Sequence, residues 1–183
     1  TRILLDHYGL RTPMISCHKF NEAARIESVL DKIRSGSALA LVSNAGMPGI
    51  SDPGARMVAA CRRAGLPVTA VPGPSSITTA IALSGQLHPG FVHEGFLPRG
   101  PGARRRRLTE LAALSLPVIL FESPYRLLRL LDDLEIVCGT RQVFIAREMT
   151  KHFEECLSGT ASELKAHLLN RSIKGEIVVI LGG

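Results

Sequence analysis

Short apolar runs alternate with helical segments along the whole chain, and this alternation limits the folds that the chain can adopt. The clearest runs are residues 38–43 (ALALVS), 67–71 (PVTAV), 118–122 (VILFE) and 176–181 (EIVVIL), each the length of one strand. Segments with apolar residues at helical spacing lie between them. Strands that are joined through helices pair in parallel, so the pattern predicts an α/β fold.

The first part of the series forms one predicted domain, residues 1–85, with a mainly parallel sheet. Asn21 is placed to cap a helix that ends at Gly36. Residues 1–10 have the pattern of the end of a further helix. The other expected elements are an extended segment over 13–16, helices over 22–35, 53–64 and 75–83, and strands over 38–43 and 67–71.

The alternation pauses at residues 86–90 (QLHPG), and we expect this segment to link two domains. The second predicted domain covers residues 91–183. Two of its strands follow one another without a full helix between them, which predicts a mixed sheet. Its expected elements are strands over 91–96, 118–122, 142–146, 153–157 and 176–181, and helices over 103–114, 125–137 and 161–169.

Charge and composition narrow the classes of function. The 183 residues carry a net charge of +6 with 17 Arg among 22 basic residues, which favours an anionic partner, above all RNA. No apolar run is long enough to span a membrane. The four cysteines are widely scattered, which predicts reduced thiols in a cytoplasmic protein rather than a metal site. Two Tyr, six Phe and no Trp argue against an aromatic platform for single strands.

Two loops rich in Gly and Pro follow successive apolar runs. Residues 43–54 (SNAGMPGISDPG) and 71–76 (VPGPSS) each lead from a predicted strand into a predicted helix. Glycines at the carboxyl end of a strand let the backbone approach a ligand closely, where open α/β sheets bind their ligands. Neither loop has the spacing of a dinucleotide fingerprint or a P-loop. An ordinary turn for the first loop and helix capping by the serines of the second are the alternatives.

These loops belong to a longer pattern that covers nearly the whole chain. Its successive blocks are LALVSNAGMPGISDPG, VPGPSSITTAIALSG, EGFLPRGPGARRRRL, FESPYRL, AREMTKHFEE and KGEIVVIL. Together they resemble the tetrapyrrole methylase superfamily. EGFLPR with its basic helix, and FESP with REMTK, are similar to the branch of ribosomal RNA small subunit methyltransferases that 2′-O-methylate a cytidine of 16S ribosomal RNA.

The resemblance implies an S-adenosylmethionine-dependent enzyme that forms a homodimer, uses no metal and does not bind membranes. The cofactor is expected in a cleft between two α/β domains. The residues that the resemblance places around the cofactor are Ala45, Gly46, Met47, Pro48, Ile50, Ser75 and Ser76.

The chain departs from the family pattern at several points. Asn44 stands where Asp is usual and Met47 where Thr is usual, and both changes affect the hydrogen bonds expected to the cofactor. Tyr125 stands where His is common, and this change affects how the nucleotide is expected to be held. Family members also begin with a strand, a loop and a helix ahead of the position of Thr1, and often continue into a small helical domain. We therefore expect the chain to be a piece of a longer protein.

Methyl transfer to a ribose 2′-OH depends mainly on alignment, and a positioned base or a nearby cation assists because the hydroxyl is a poor nucleophile. The predicted catalytic residues are Glu122 or Glu148 as the base, with Lys151 or Arg147 on phosphate. A structural salt bridge or a solvated charge is the alternative for each. Further candidates are Arg126, Glu154, His18, His88, His93 and His152.

A run of four arginines opens one predicted helix. Cations at a helix amino terminus oppose the macrodipole and repel one another, so stability alone does not favour the run. RNA phosphates are the expected partners, and a solvated basic face is the alternative. The predicted RNA-binding residues are Arg99, Arg104, Arg105, Arg106, Arg107, Arg126 and Arg147.

Two other functions stay open on the sequence. One is methylation of a corrinoid or porphyrin precursor on the same fold, although such a substrate does not require a protruding run of four arginines. The other is an inactive RNA-binding relic, which Asn44 and Met47 favour.

Overall fold

The computed structural model describes residues 1–183, which divide into two compact units, Thr1–Ser75 and Ser76–Gly183. The first unit is helical, with α1 (Arg2–His7), α2 (Glu22–Arg34) and α3 (Ala55–Arg63). Its small core lies between α2 and α3, where Leu30, Ala60 and Cys61 are buried. No helix of either unit has the length and apolar character that crossing a membrane requires.

The second unit contains the only sheet. Its elements in chain order are α4 (Ser76–Leu83), β1 (Val92–Phe96), α5 (Pro101–Ala112), β2 (Val118–Glu122), α6 (Leu127–Cys138), β3 (Gln142–Arg147), β4 (Glu155–Thr160), α7 (Ala161–Leu168) and β5 (Ile177–Leu181). Each element overlaps one that the apolar pattern predicts, and Thr160 and Glu163 form a capping box at the start of α7.

The five strands are ordered β1-β2-β5-β3-β4. β1 and β2 are parallel, whereas β5 is antiparallel to both β2 and β3, and β4 is antiparallel to β3. The predicted mixed sheet of the second domain is therefore confirmed. Because two antiparallel steps separate β2 from β3, the strands β1, β2 and β3 all point in the same direction, and their carboxyl ends share one edge of the sheet.

Both faces of the sheet are covered by apolar side chains, but unequally. Helices α5, α6 and α7 supply Leu108, Leu130 and Leu164 to a large core cluster on one face. The other face packs on α4, where Ala80 is fully buried against Ile119 and Ile180. This packing places α4 in the second unit, so the two units divide between Ser75 and Ser76, before the linker that the sequence predicts at 86–90.

The sheet expected in the first domain does not form, and this prediction is wrong. Residues 38–43 and 67–71 belong to no helix and lie outside the sheet, with Leu41, Val42 and Val71 exposed. A strand requires a neighbour that supplies partners for its N–H and C=O groups. No other segment of the first unit hydrogen-bonds to these two runs through its backbone. The apolar composition of the two runs is typical of strands, but strand formation also needs a neighbouring strand, and composition does not determine whether one is present.

Candidate functional site

The glycine-rich loop 43–54 of the first unit has a defined backbone conformation. The Ser43 hydroxyl donates to the carbonyl oxygens of Ala45 and Gly46, at 3.0 Å each. Gly46 has a φ of 71°, a left-handed conformation that favours glycine. A Cβ built on Gly46 would meet no atom within 4 Å, so the space beside this residue is open.

The end of this loop is held by Glu22, a residue that the sequence analysis did not select. Its Oε1 accepts hydrogen bonds from the backbone N–H groups of Gly54, Arg56 and Met57, at 2.9, 3.1 and 3.2 Å. The side chain is buried, and its charge lies at the amino terminus of α3, where the helix dipole favours an anion. Glu22 therefore joins the start of α2 to the point where the loop becomes α3. No local pattern reveals this pairing, because the partners are 32 to 35 residues apart.

The residues predicted to bind the cofactor are accessible. Ala45, Gly46, Met47 and Ile50 are exposed and Pro48 is half-buried. Ser75 is the last residue of the first unit, and Ser76 is the first residue of α4. The loop therefore offers an open side at Gly46 and exposed apolar side chains, a combination that suits a ligand with both polar and apolar parts.

The predicted catalytic residues gather at the sheet edge where β1, β2 and β3 end. The register pairs Glu122 with Ile177 and Arg147 with the same Ile177, so the ends of β2 and β3 flank the start of β5. Glu148 and Lys151 follow β3 directly. The side chains nonetheless form separate groups, each held by its own ion pairs.

Glu122 and Arg126 form the first group. The Glu122 side chain is 1% exposed, with Oε2 at 3.2 Å from Arg126 Nη2. Its Oε1 accepts from the Ser123 N–H, whereas Oε2 has no hydrogen bond. Arg126 Nη2 also donates to the carbonyl oxygens of Leu97 and Pro98 at 3.1 and 3.4 Å. Arg126 therefore ties the segment after β1 to the end of β2, and this contact accounts for its position without RNA.

Glu148 and Lys151 form the second group. Lys151 Nζ lies 2.8 Å from Glu148 Oε1 and 2.9 Å from Glu176 Oε2. The hydrogen bond from Lys151 holds the pKa of Glu148 below its ordinary value, and the same bond raises the pKa of Lys151. Glu148 is thus a weaker base than a free carboxylate, and Lys151 stays protonated. Gly175 leaves the space for this group, since a Cβ there would overlap the Glu148 side chain.

Arg147 belongs to a third group, at the junction of β3 and β4. Its Nε donates to Glu155 Oε2 at 3.0 Å, and Arg171 Nη2 donates to the other Glu155 oxygen at 2.6 Å. Burial pushes the pKa of Glu155 upward, but the hydrogen bonds from Arg171 and Arg147 outweigh it and leave the pKa lowered. Arg147 is therefore paired with Glu155 within the protein, and its position does not require RNA.

The arginines of α5 also divide by their partners. Arg104 is buried and its Nε donates to Asp133 of α6, and Arg105 donates to the second oxygen of the same carboxylate at 2.6 Å. Arg107 donates to both oxygens of Glu94, at 2.8 and 2.7 Å, and also pairs with Glu110.

The partner of Arg107 owes its orientation to an irregularity in the sheet. The register between β1 and β2 shifts between His93 and Gly95, so Glu94 lies at an irregularity of the pairing. At this irregularity the carboxylate of Glu94 meets Arg107 of α5. The hydrogen bond from Arg107 lowers the pKa of Glu94.

Stability therefore does favour part of the arginine run, contrary to the expectation from the sequence. That expectation weighed only the charges near the run, whereas Glu94 and Asp133 come from neighbouring elements. Arg99 and Arg106 are exposed and make no ion pair with the protein. They are the members of the predicted RNA-binding set that are available to a partner.

The candidate histidines lie on β1 and in exposed segments. His93 lies on β1 with its ring 4.8 Å from that of Phe121, and burial lowers its pKa. His18, His88 and His152 are exposed.

Comparison with known proteins identifies the family. The model of the family of tetrapyrrole (corrin/porphyrin) methylases matches residues 3–165, most of the chain. The chain belongs to this family. Among solved structures, this tetrapyrrole methylase is similar to a diphthine synthase, with a TM-score of 0.71 at 14% identity over 98% of the chain and 72% of that structure. It is also similar to a cobalt precorrin-4 methyltransferase, with a TM-score of 0.63 at 18% identity over 97% of the chain and 78% of that structure.

Curated relatives of this tetrapyrrole methylase carry a more specific name. The chain is 45% identical to ribosomal RNA small subunit methyltransferase I of Thermotoga maritima, over 100% of the chain and 82% of the relative. The protein of the same name from Xylella fastidiosa is 44% identical over 100% of the chain and 68% of its own length. The one from Synechocystis is 40% identical over 98% of the chain and 65% of its own length.

Proposed function

We propose that the chain is the methyltransferase part of an enzyme that uses S-adenosylmethionine to methylate ribosomal RNA of the small subunit, at the 2′-oxygen of a cytidine. The observation that carries the proposal is the 45% identity, along the whole chain, to ribosomal RNA small subunit methyltransferase I of Thermotoga maritima. The solved corrin and uroporphyrin methyltransferases are at most 20% identical, so they support the fold and not their substrates.

The loop 43–54 is the proposed cofactor-binding segment. A related fold, the uroporphyrin-III C-methyltransferase of Thermus thermophilus, was solved with S-adenosyl homocysteine. In this chain the open side of Gly46 admits a ligand against the backbone, and the exposed side chains of Met47 and Ile50 supply apolar contacts. Asn44 keeps a side-chain hydrogen-bonding group where the family pattern has Asp.

The sheet edge supplies the groups that act on the RNA. Bound S-adenosylmethionine provides a methyl group on a positively charged sulfur, which a correctly aligned oxygen displaces. Lys151 keeps a proton at neutral pH and so offers a positive charge to a phosphate or to the reacting oxygen. Glu122 is the proposed base, because of the two predicted carboxylates it has the longer ion pair, 3.2 Å to Arg126 against 2.8 Å from Glu148 to Lys151. Arg99 and Arg106 are the proposed phosphate contacts.

A methyl-transfer assay tests this function. The purified chain is incubated with labelled S-adenosylmethionine and small ribosomal subunits that lack the modification, and the RNA is digested to nucleosides for mass spectrometry. We expect one new 2′-O-methylcytidine. Methylation of a base, or binding of S-adenosylmethionine in calorimetry without any transfer, would overturn the proposal. Absence of S-adenosylmethionine binding in calorimetry, with RNA binding retained, would favour the relic.

Two broader expectations rest on the same proposal. The enzyme acts in the cytoplasm, where small ribosomal subunits are assembled. A homodimer is expected from the family resemblance, and sedimentation of the protein at micromolar concentration tests it, because a single monomer species would contradict it.

A further inference from the structure

Three aromatic side chains are exposed where the strands β1, β2 and β3 end. Phe96 is the last residue of β1 and is 58% exposed, Tyr125 follows β2 and is 91% exposed, and Phe153 follows β3 and is 68% exposed. The carboxyl ends of these strands share one edge of the sheet, so the sheet presents three rings along one border. We call these three residues the aromatic edge.

Six of the eight Phe and Tyr side chains of the chain are exposed, and these three differ from the others in lying at or just after the carboxyl ends of strands. The sequence contains six Phe and two Tyr, and rings of this size normally contribute their large apolar area to the core. None of the three belongs to the core clusters of the second unit. Two have aromatic neighbours: Phe96 meets the ring of Phe121 edge-on at 5.7 Å, and Phe153 meets that of His152 at 4.7 Å.

Exposed positive charges accompany the aromatic edge. Arg99 lies three residues beyond Phe96, is exposed and makes no ion pair. Lys174 precedes β5, whose amino end reaches the same edge, and its side chain is likewise exposed and unpaired. Lys151, two residues before Phe153, is a third cation at this edge, and it forms ion pairs with Glu148 and Glu176.

The small number of aromatic residues argues against an extended platform for single strands, but three rings with unpaired cations suit contacts to a few unpaired nucleotides. Single-stranded nucleic acids bind by stacking bases on aromatic rings while cations follow the phosphates, whereas double-stranded RNA hides the faces of its bases. The sheet edge therefore offers unpaired nucleotides both exposed rings for their bases and unpaired cations for their phosphates.

We infer that Phe96, Tyr125 and Phe153 stack on unpaired bases of the RNA substrate. This inference rests on the proposed function and specifies the state of its substrate. The nucleotides around the acceptor ribose are unstacked from a helix when they bind, which also exposes the 2′-OH to the sheet edge.

The test compares alanine variants of the most exposed rings with a matched control. Tyr125→Ala and Phe153→Ala remove rings of the aromatic edge, and Phe20→Ala removes a ring that is 84% exposed in the first unit. Fluorescence anisotropy measures the Kd for a labelled single-stranded RNA of mixed sequence and for the duplex with its complement. Circular dichroism establishes that each variant is folded.

We expect each of the two variants to weaken single-strand binding at least roughly fivefold, the loss of one base–ring stack. Duplex binding and the Phe20→Ala control should stay at the wild-type value. Unchanged single-strand affinity in the Tyr125→Ala, Phe153→Ala double variant would overturn the inference, as would an equal loss for the duplex. If the wild-type chain transfers no methyl group to small subunits, the proposed function fails, whatever the stacking result.

Discussion

At the scale of single residues, the buried carboxylate of Glu22 fixes the end of the glycine-rich loop. Its Oε1 is shared by three backbone N–H groups at the start of α3. Replacing Glu22 with Ala leaves these donors without their partner, so we expect the free energy of unfolding to fall by about 1–3 kcal/mol. Urea unfolding measures the loss, and amide hydrogen exchange should accelerate first at Gly54, Arg56 and Met57.

Glu27 provides the control for this prediction. It lies on the same helix but is exposed and makes no ion pair or side-chain hydrogen bond. Glu27→Ala should change the stability by less than about 0.5 kcal/mol, as is usual for a surface substitution. Equal losses in the two variants would mean that the negative charge on α2 matters and the cap does not.

The pair of Glu148 and Lys151 gives a second prediction at this scale. Because Lys151 hydrogen-bonds to the carboxylate, the pKa of Glu148 lies below the ordinary value of 4.5. A carboxyl group with a lowered folded-state pKa stabilises the fold above pH 4.5, and this contribution disappears as the pH falls through the lowered pKa. NMR titration of the side-chain carboxyl carbon should show the low midpoint, and Lys151→Met should return it toward 4.5. A midpoint unaffected by Lys151→Met would assign the shift to the Glu176 N–H instead.

At the scale of elements, helix α5 combines structural and available arginines. Asp133→Ala leaves buried Arg104 without its counter-charge, so we expect a loss of about 3–5 kcal/mol in the unfolding free energy.

Arg106→Ala removes an exposed, unpaired charge and should change stability by less than about 0.5 kcal/mol. It should instead weaken RNA binding and reduce the slope of log affinity against log salt by about 0.7. If the slope of log affinity against log salt stayed at the wild-type value, Arg106 would not be an RNA contact.

The elements also show how far a sequence pattern reaches. The run VILFE predicts β2 at its observed bounds, because the strand is buried on both faces and its composition shows this directly. The run ALALVS has a similar composition but forms no strand, because strand formation depends on a neighbour that its own residues do not specify. Likewise, the arginines of α5 are evident in the sequence, whereas Asp133 and Glu94 become their partners only when α6 and β1 are in place.

At the scale of the whole molecule, the two units carry different parts of the proposed activity. The glycine-rich loop lies in Thr1–Ser75, and the sheet edge, the aromatic edge and the free arginines lie in Ser76–Gly183. The sequence singles out the loop, the charged residues after the strands and the arginines, whereas the exposure of Phe96, Tyr125 and Phe153 is visible only in the structure. It does not predict that Glu122, Glu148 and Arg147 form three separate ion-pair groups, which depends on the register of β5 between β2 and β3.

This division predicts that cofactor binding and RNA binding can be removed separately. Gly46→Leu places a bulky side chain in the open space of the loop and should abolish S-adenosylmethionine binding in calorimetry while RNA affinity is retained. Gly65→Leu is the matched control, because Gly65 has nearly the same φ, 67° against 71°, and equally open surroundings, so both variants carry the same backbone strain. The double variant Arg99→Gln, Arg106→Gln should do the reverse, lowering RNA affinity and reducing the salt slope by about one to two units with the cofactor Kd unchanged. Unchanged cofactor affinity in Gly46→Leu would mean that the pocket lies outside the loop 43–54, and an equal loss in Gly65→Leu would assign the loss to strain in the first unit.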